Sequence, residues 1–217
     1  MSIPPEVIER FRPIATASVA DAVDSVAGRR GYMQYEIKPR ANGRKIVGPA
    51  VTVLEGPTDE PQPPTHALDL IDESGEGSVI VIGVGGERDV AVWGGLMTAG
   101  ATVNGLEGAV LDAGVRDVTE IERDFAFPVY ARTISPGTTV GRFRTLDANV
   151  PVDCGGVTVN PGDLIVADRD GVVVVPHEHV NAVLEAAEEI ERKEAEQTAY
   201  IRETGSLREG LAKYDRI

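Results

Sequence analysis

The chain has 217 residues, 42% of them hydrophobic and only 5% aromatic, which is long and apolar enough to bury one sizeable core. Its formal net charge of −14 argues against nucleic acid, whose binding depends on Lys and Arg neutralising phosphates. No apolar run reaches the ~20 residues that a bilayer span requires, and Met1–Glu6 has neither a basic stretch nor an apolar stretch of the secretory kind, so the sequence predicts a cytoplasmic protein without a membrane partner.

In chain order, residues 4–27 predict two short helices. The second has Thr16 or Ser18 as its cap, Val19, Ala22, Val23 and Val26 as its apolar side, and Gly28 as its stop. The basic segment Arg29–Lys45 has no clear period and is a candidate for the rim of a cleft. Ile46–Leu54 reads as a strand, Thr58–Pro64 as a proline-rich loop and His66–Ile71 as a short helix. Ser78–Val84 is a continuous apolar run, the pattern of a strand buried on both faces. After Gly85-Gly86 and a charged turn, a helix is expected from about Ala91 to Val103, then a buried strand over Gly108–Asp112. Such a β–loop–α–β unit has parallel strands and a right-handed crossover, and ligands collect in the loops after its strands. A short helix over Val118–Asp124 leads to a strand at Val129–Ala131. Strands then follow near 138–144, 150–153, 156–159, 163–167 and 172–175. From His177 the chain reads as a long helical tail, residues 177–217, on what is otherwise a single domain over 1–217. Val180, Val183, Leu184, Ala187 and Ile190 give the tail a docking face.

Two stretches carry chemistry: Trp93-Gly94-Gly95-Leu96-Met97, and Leu111-Asp112-Ala113-Gly114-Val115-Arg116-Asp117-Val118-Thr119-Glu120. A Gly-Gly turn offers backbone amides to an anion, and Arg116 offers a planar donor fork for a carboxylate or keto oxygen. Asp117 with Glu120 suits a hard divalent cation that keeps several waters. The plainer reading makes Asp117 a helix N-cap with acid at N3, and Arg116 a surface ion-pair partner. Asp112 either orients Arg116 or caps a turn. Gly83–Gly86 lacks the third glycine of a dinucleotide loop and reads as a turn or cleft wall, His177-Glu178-His179 as helix entry, and Asp168 with Asp170 as hairpin-turn residues.

Cys154 is the only cysteine, so neither an intrachain disulfide nor a thiolate cluster is possible; it reads as a small core or turn residue. Only Lys38, Lys45, Lys193 and Lys213 are lysines, and none reads as buried, which disfavours imine chemistry. An acidic excess with so little lysine resembles adaptation to high salt, where surface repulsion is screened.

Four marks in order resemble the RraA-like family, which includes metal-dependent class II 4-hydroxy-4-methyl-2-oxoglutarate aldolases. They are Thr16–Asp24, Val47–Val53, the Gly95-to-Glu120 pattern, and Cys154–Asp163 continuing through Ala167-Asp168 and Gly171–Pro176. The resemblance, from about Thr16 to Ala195, implies an α/β three-layer β/β/α swivelling-domain fold and a homotrimer or hexamer with clefts between subunits. It implies that amides around Gly94, Gly95, Leu96 and Met97 hold a substrate carboxylate and that Arg116 contacts the C2 keto oxygen. Asp117 would bind Mg²⁺ or Mn²⁺, and Glu120 would act through water held by that ion. The implied activity is cleavage of a 4-hydroxy-2-oxo acid to pyruvate, with oxaloacetate decarboxylation as companion. Some relatives carry an acid at the position of Gly95, which leaves the proton-transfer group here unassigned. The same family includes regulators that bind and inhibit a ribonuclease, the alternative reading; the cofactor loop needed for a third, methyl transfer to a quinone, is missing.

Overall fold

A computed structural model describes residues 3–215. Its elements are α1 (Pro5–Phe11), α2 (Thr16–Ala27), β1 (Lys38–Ala41), β2 (Ile46–Pro57), α3 (Thr65–Glu73), β3 (Val79–Gly83), β4 (Val90–Trp93) and α4 (Gly95–Val103). There follow β5 (Gly108–Val115), α5 (Val118–Glu120) with a π-helical turn over Ile121–Phe125, and β6 (Val129–Ile134). The rest is β7 (Gly137–Thr138), β8 (Phe143–Ala148), β9 (Val152–Cys154), β10 (Val157–Val159), β11 (Leu164–Asp168), β12 (Gly171–Val175), α6 (Val180–Thr204) and α7 (Leu207–Tyr214).

The main sheet runs β1-β6-β5-β3-β2-β11-β12, with β8 on the far half of β2 and β4 bridging β5 and β7. The β2–β3, β3–β5 and β5–β6 pairs are parallel, as the buried apolar runs predict. At its other end the sheet turns antiparallel through β11 and β12, and β12 curls back so that Tyr32, ahead of β1, bridges Val173. The sheet is therefore nearly closed.

Strand alternation sorts its side chains into three cores. Ile80, Ile82, Ala109 and Leu111 point outward beneath α3 and α4. Val79, Val81 and Val110 point inward to meet Ile165, Val172 and Val174 and the small β9–β10 hairpin. Leu164, Val166, Val173 and Val175 face α1, α2 and α6. Two β layers pack across the inner core with helices outside, the expected β/β/α arrangement. No helix among the described residues is long and apolar enough to cross a membrane.

Several local expectations are corrected. The predicted helix at Ala91 is strand as far as Trp93: Val90–Trp93 are all buried between neighbouring strands, and the helix begins only at Gly95. The long tail breaks at Gly205, which takes a left-handed φ of 69°, and α7 folds back onto α6. The strand expected near 138–144 splits into β7 and β8 around Gly141. Helix α2 is capped by neither candidate. Ala15 is its N-cap residue, Thr16 is already inside the helix, and the Ser18 hydroxyl donates to Glu191. Lys45 is half-buried rather than exposed; burial lowers its pKa, and its ammonium donates to the Ile14 carbonyl. That bond gives the ammonium a structural partner.

Candidate active site

The site forms where β4 ends in α4 and β5 ends in α5. Trp93 is fixed there: its indole N–H donates to the Thr98 hydroxyl at 2.8 Å, and its ring stacks on Phe127 at 6.1 Å between centroids. The Arg116 amide donates to the Trp93 carbonyl at 3.0 Å, so the ends of β4 and β5 are tied together. Twenty-two residues of sequence separation between Gly94 and Arg116 thus collapse into contact.

Gly94 is needed for that approach. A Cβ there would lie 2.7 Å from Asp117 Oδ2 and 3.1 Å from Arg116 Cγ. The Gly95 amide donates to Asp117 Oδ2 at 3.0 Å. The first amides of a helix have no carbonyl one turn back. Gly95's is taken by Asp117 and Thr98's by the Gly94 carbonyl, so those of Leu96 and Met97 are the donors left for an anion. The positive end of the α4 dipole reinforces them.

Asp117 has a left-handed φ of 60° and ψ of 28°. The plainer reading predicted its side chain to cap its own helix, and it makes no such bond. It turns back to α4 instead. Non-glycine residues in this conformation are uncommon and cluster at functional sites. The Arg116 guanidinium lies beside it, Nε 3.7 Å from Asp117 Oδ2, with 42% of the side chain exposed toward the cleft. Glu120 is close as well: its Oε2 lies 3.3 Å from where a Gly95 Cβ would stand. Two carboxylates, one cation and a helix N-terminus therefore converge. Arg116, Asp117 and the start of α4 line a 230 Å³ cleft whose walls include Leu68, Met97, Thr139 and Val140, with Glu120 beside Gly95 outside that lining, and a 260 Å³ depression beside Ile134–Pro136 adjoins it. Leu96 is 91% exposed at the rim.

No group of three or more His, Cys, Asp or Glu side chains arranged to hold a metal occurs among the described residues. A divalent ion here would rest on Asp117 with Glu120 and keep much of its water. Mg²⁺ commonly binds in that way, so the donor set fits.

Three candidates lie elsewhere. Asp112 does not orient Arg116. It points to the opposite face of β5, is 2% exposed, and accepts from Arg132 Nε and Nη2 at 2.9 and 2.6 Å. The Gly86 and Gly155 amides donate to the same carboxylate, so the Gly85-Gly86 loop is a turn anchored on Asp112. Arg132 also binds Glu36, completing a buried network that sequence spacing gave no means of pairing. Arg30, Tyr32–Glu36 and Lys38 of the segment Arg29–Lys45 line a larger groove of 720 Å³ with α2, which shares no lining residue with the cleft. His177 is held by the Asp163–Gly162 turn, as helix entry requires.

One further acid lies near this end of the sheet and carries no motif in the sequence. Glu55, on β2, is 3% exposed, and burial pushes its pKa up to about 7. Its sequence signal was the alternation Val51, Val53, Glu55, which places an acid on an apolar face.

The family model described as "RraA-like: Aldolase/RraA" matches residues 16–174. This chain belongs to the RraA-like family. A Halalkalibacterium halodurans protein named "Putative 4-hydroxy-4-methyl-2-oxoglutarate aldolase" is 34% identical over 89% of this chain and 86% of its own length. Protein DlpA of Legionella pneumophila is 35% identical over 83% of this chain, which spans only 29% of that longer protein. Among solved structures, an uncharacterized protein from Pseudomonas syringae pv. tomato superposes with a TM-score of 0.87 at 31% identity, covering 99% of this chain and 96% of its own. Streptomyces coelicolor RraAS2, described as an unusual member of the RNase ES inhibitor RraA protein family, gives a TM-score of 0.79 at 25% identity, covering 92% of this chain and 98% of its own.

Proposed function

We propose that this RraA-like protein is a divalent-metal-dependent carbon–carbon lyase. It would cleave a 4-hydroxy-2-oxo acid of the 4-hydroxy-4-methyl-2-oxoglutarate type to pyruvate and also decarboxylate oxaloacetate. The observation that carries the reading is the convergence of Arg116, Asp117 and the α4 N-terminus on one cleft, with Glu120 beside it. The relatives named as aldolases of this substrate support it.

The Leu96 and Met97 amides, with Gly94 and Gly95 giving room for close approach, hold the substrate carboxylate. Arg116 donates to the C2 keto oxygen, where negative charge develops as the C3–C4 bond breaks and an enolate forms. Asp117, fixed by the Gly95 amide, would hold Mg²⁺ or Mn²⁺, with Glu120 placed to act through water. The ion, when bound, supplies the second positive charge facing the enolate oxygen. The exposed Leu96 at the rim is consistent with a cleft completed by a neighbouring copy in a trimer or hexamer.

The regulatory alternative, ribonuclease inhibition by binding, needs none of this machinery. Pyruvate release from 4-hydroxy-4-methyl-2-oxoglutarate and from oxaloacetate, in high salt, separates the two. Turnover that requires Mg²⁺ or Mn²⁺ and stops in EDTA is the expected result. Folded protein that binds a ribonuclease tightly and turns over neither acid would replace the lyase reading with the regulatory one.

A further inference from the structure

The cleft is polar in one part of its lining and apolar in the rest. The polar part is Arg116, Asp117 and the opening amides of α4. Arg116 is the only Lys, Arg or His among the described residues that line it, and the adjoining depression beside Ile134–Pro136 brings no further cation. A 2-oxo acid bound as above spends those groups on its C1 carboxylate and C2 keto oxygen. C4 and its substituents then face what remains of the lining, chiefly Pro64, Leu68, Met97 and the chain from Thr138 to Val140.

That remainder offers a ligand apolar surface. Pro64 is the N-cap residue of α3, and the Leu68 amide donates to its carbonyl at 3.1 Å, so the two stand one turn apart on one side of the helix. Ala67, Leu70 and Ile71 go into the core, whereas Leu68 stays 40% exposed. Val140, on the turn after β7, is 41% exposed. The polar groups of that turn are already committed. The Thr138 hydroxyl accepts from the Val140 amide at 3.4 Å and the Thr138 carbonyl from Arg142 Nη1 at 3.0 Å, while the Thr139 hydroxyl is buried away from solvent. A single exposed leucine is ordinary. Apolar side chains from α3, α4 and the β7–β8 turn around one polar anchor make a sorted pocket.

Building on the lyase reading, we infer that the preferred substrate is a monocarboxylate: a 4-hydroxy-2-oxo acid whose C4 carries alkyl groups, packed on Pro64, Leu68, Met97 and Val140. Its C3–C4 bond breaks, the C4 hydroxyl becomes a carbonyl, and the electron pair of the broken bond passes into the enolate. The hydroxyl proton leaves to solvent and C3 takes one back, so the products are pyruvate and a neutral aldehyde or ketone, with nothing oxidised or reduced overall. A second carboxylate at C4 meets no partner on this wall and loses water there without compensation, a cost that an alkyl group does not incur. 4-Hydroxy-4-methyl-2-oxoglutarate fits with its methyl on the wall and its C5 carboxylate turned to the opening, and is the poorer substrate.

The test reads binding and turnover separately. 4-Methyl-2-oxopentanoate and 2-oxoglutarate lack the 4-hydroxyl and cannot be cleaved; one ends in two methyl groups, the other in a carboxylate. Calorimetry in Mg²⁺ should show the branched acid binding about tenfold more tightly. In turnover, kcat/KM is compared for 4-hydroxy-4-methyl-2-oxopentanoate and 4-hydroxy-4-methyl-2-oxoglutarate, in wild type, Leu68→Lys and Leu68→Met. Leu68→Lys, at a partly exposed helix position, should shift both the binding and the turnover preference about tenfold toward the dicarboxylate. Leu68→Met keeps the wall apolar and should leave them within about threefold of wild type. Each protein is read as a ratio of two substrates, so their intrinsic reactivities cancel between proteins. Wild-type turnover combined with equal or tighter binding of 2-oxoglutarate overturns the apolar-wall inference alone, and assigns the missing cation to Arg142 or a second copy. Preferences that ignore Leu68→Lys overturn it too. Absence of turnover with every 4-hydroxy-2-oxo acid defeats the lyase reading beneath it, and the substrate assignment falls with that reading.

Discussion

Gly94→Ala should disable the cleft while leaving the fold intact. Gly94 has φ −160° and ψ −168°, extended backbone that alanine adopts freely, so the methyl group is the whole perturbation. It would stand 2.7 Å from Asp117 Oδ2 and 3.2 Å from Arg116 Nε. Ordinary contact begins at 3.4 Å, so the carboxylate must retreat by about 0.7 Å, breaking its 3.0 Å bond from the Gly95 amide, while Arg116 swings outward with it. Both side chains are partly exposed and can move into solvent, so the stability cost should stay within about 1 kcal/mol. Displacing reacting groups by this much costs about 100-fold in rate, or about 2.7 kcal/mol of transition-state stabilisation. The assay is kcat and KM for pyruvate release at saturating Mg²⁺, beside a thermal melt. Wild-type kcat in Gly94→Ala would refute the placement of Asp117 and Arg116.

Asp112→Ala removes the main partner of Arg132, whose side chain is 5% exposed, and should cost about 3–5 kcal/mol in chemical denaturation. A loss under about 1 kcal/mol would show that the pair contributes little. Glu55 ties stability to pH. Its pKa rises from 4.5 unfolded to about 7 folded, so its favourable contribution is complete below pH 4.5 and is lost as pH rises through about 7. That shift amounts to about 3 kcal/mol, and Glu55→Gln should flatten this part of the stability–pH curve; an unaltered curve would contradict the assignment. Cys154 is fully buried, and burial raises its thiol pKa, so the native protein should resist a thiol reagent for hours at about pH 8 and react promptly once unfolded.

The buried runs of β3 and β5, the glycine stops and the α6 docking face were legible because each is a local pattern with a single period. The strand Val90–Trp93 was not: four apolar residues leading into a helix have no period of their own, and only pairing with β5 and β7 decides their state. At the cleft, Gly94–Met97, Arg116, Asp117 and Glu120 were legible as types and spacing, and the folded chain brings them together. Asp112 could not be paired in advance, because its partner Arg132 comes from the neighbouring strand and strand register is non-local. Glu55 lies just past the strand read over Ile46–Leu54, and its burial depends on the non-local pairing of this end of β2 with β8.

The most direct test of the lyase account measures ion binding and chemistry in one sample. Mn²⁺ is titrated by electron paramagnetic resonance while pyruvate release from 4-hydroxy-4-methyl-2-oxoglutarate is followed, for wild type and Asp117→Asn. Wild type should bind Mn²⁺ and turn over in proportion to occupancy, and Asp117→Asn should lose both together. Turnover that survives in Asp117→Asn, or that is unaffected by removing the ion, would contradict the account.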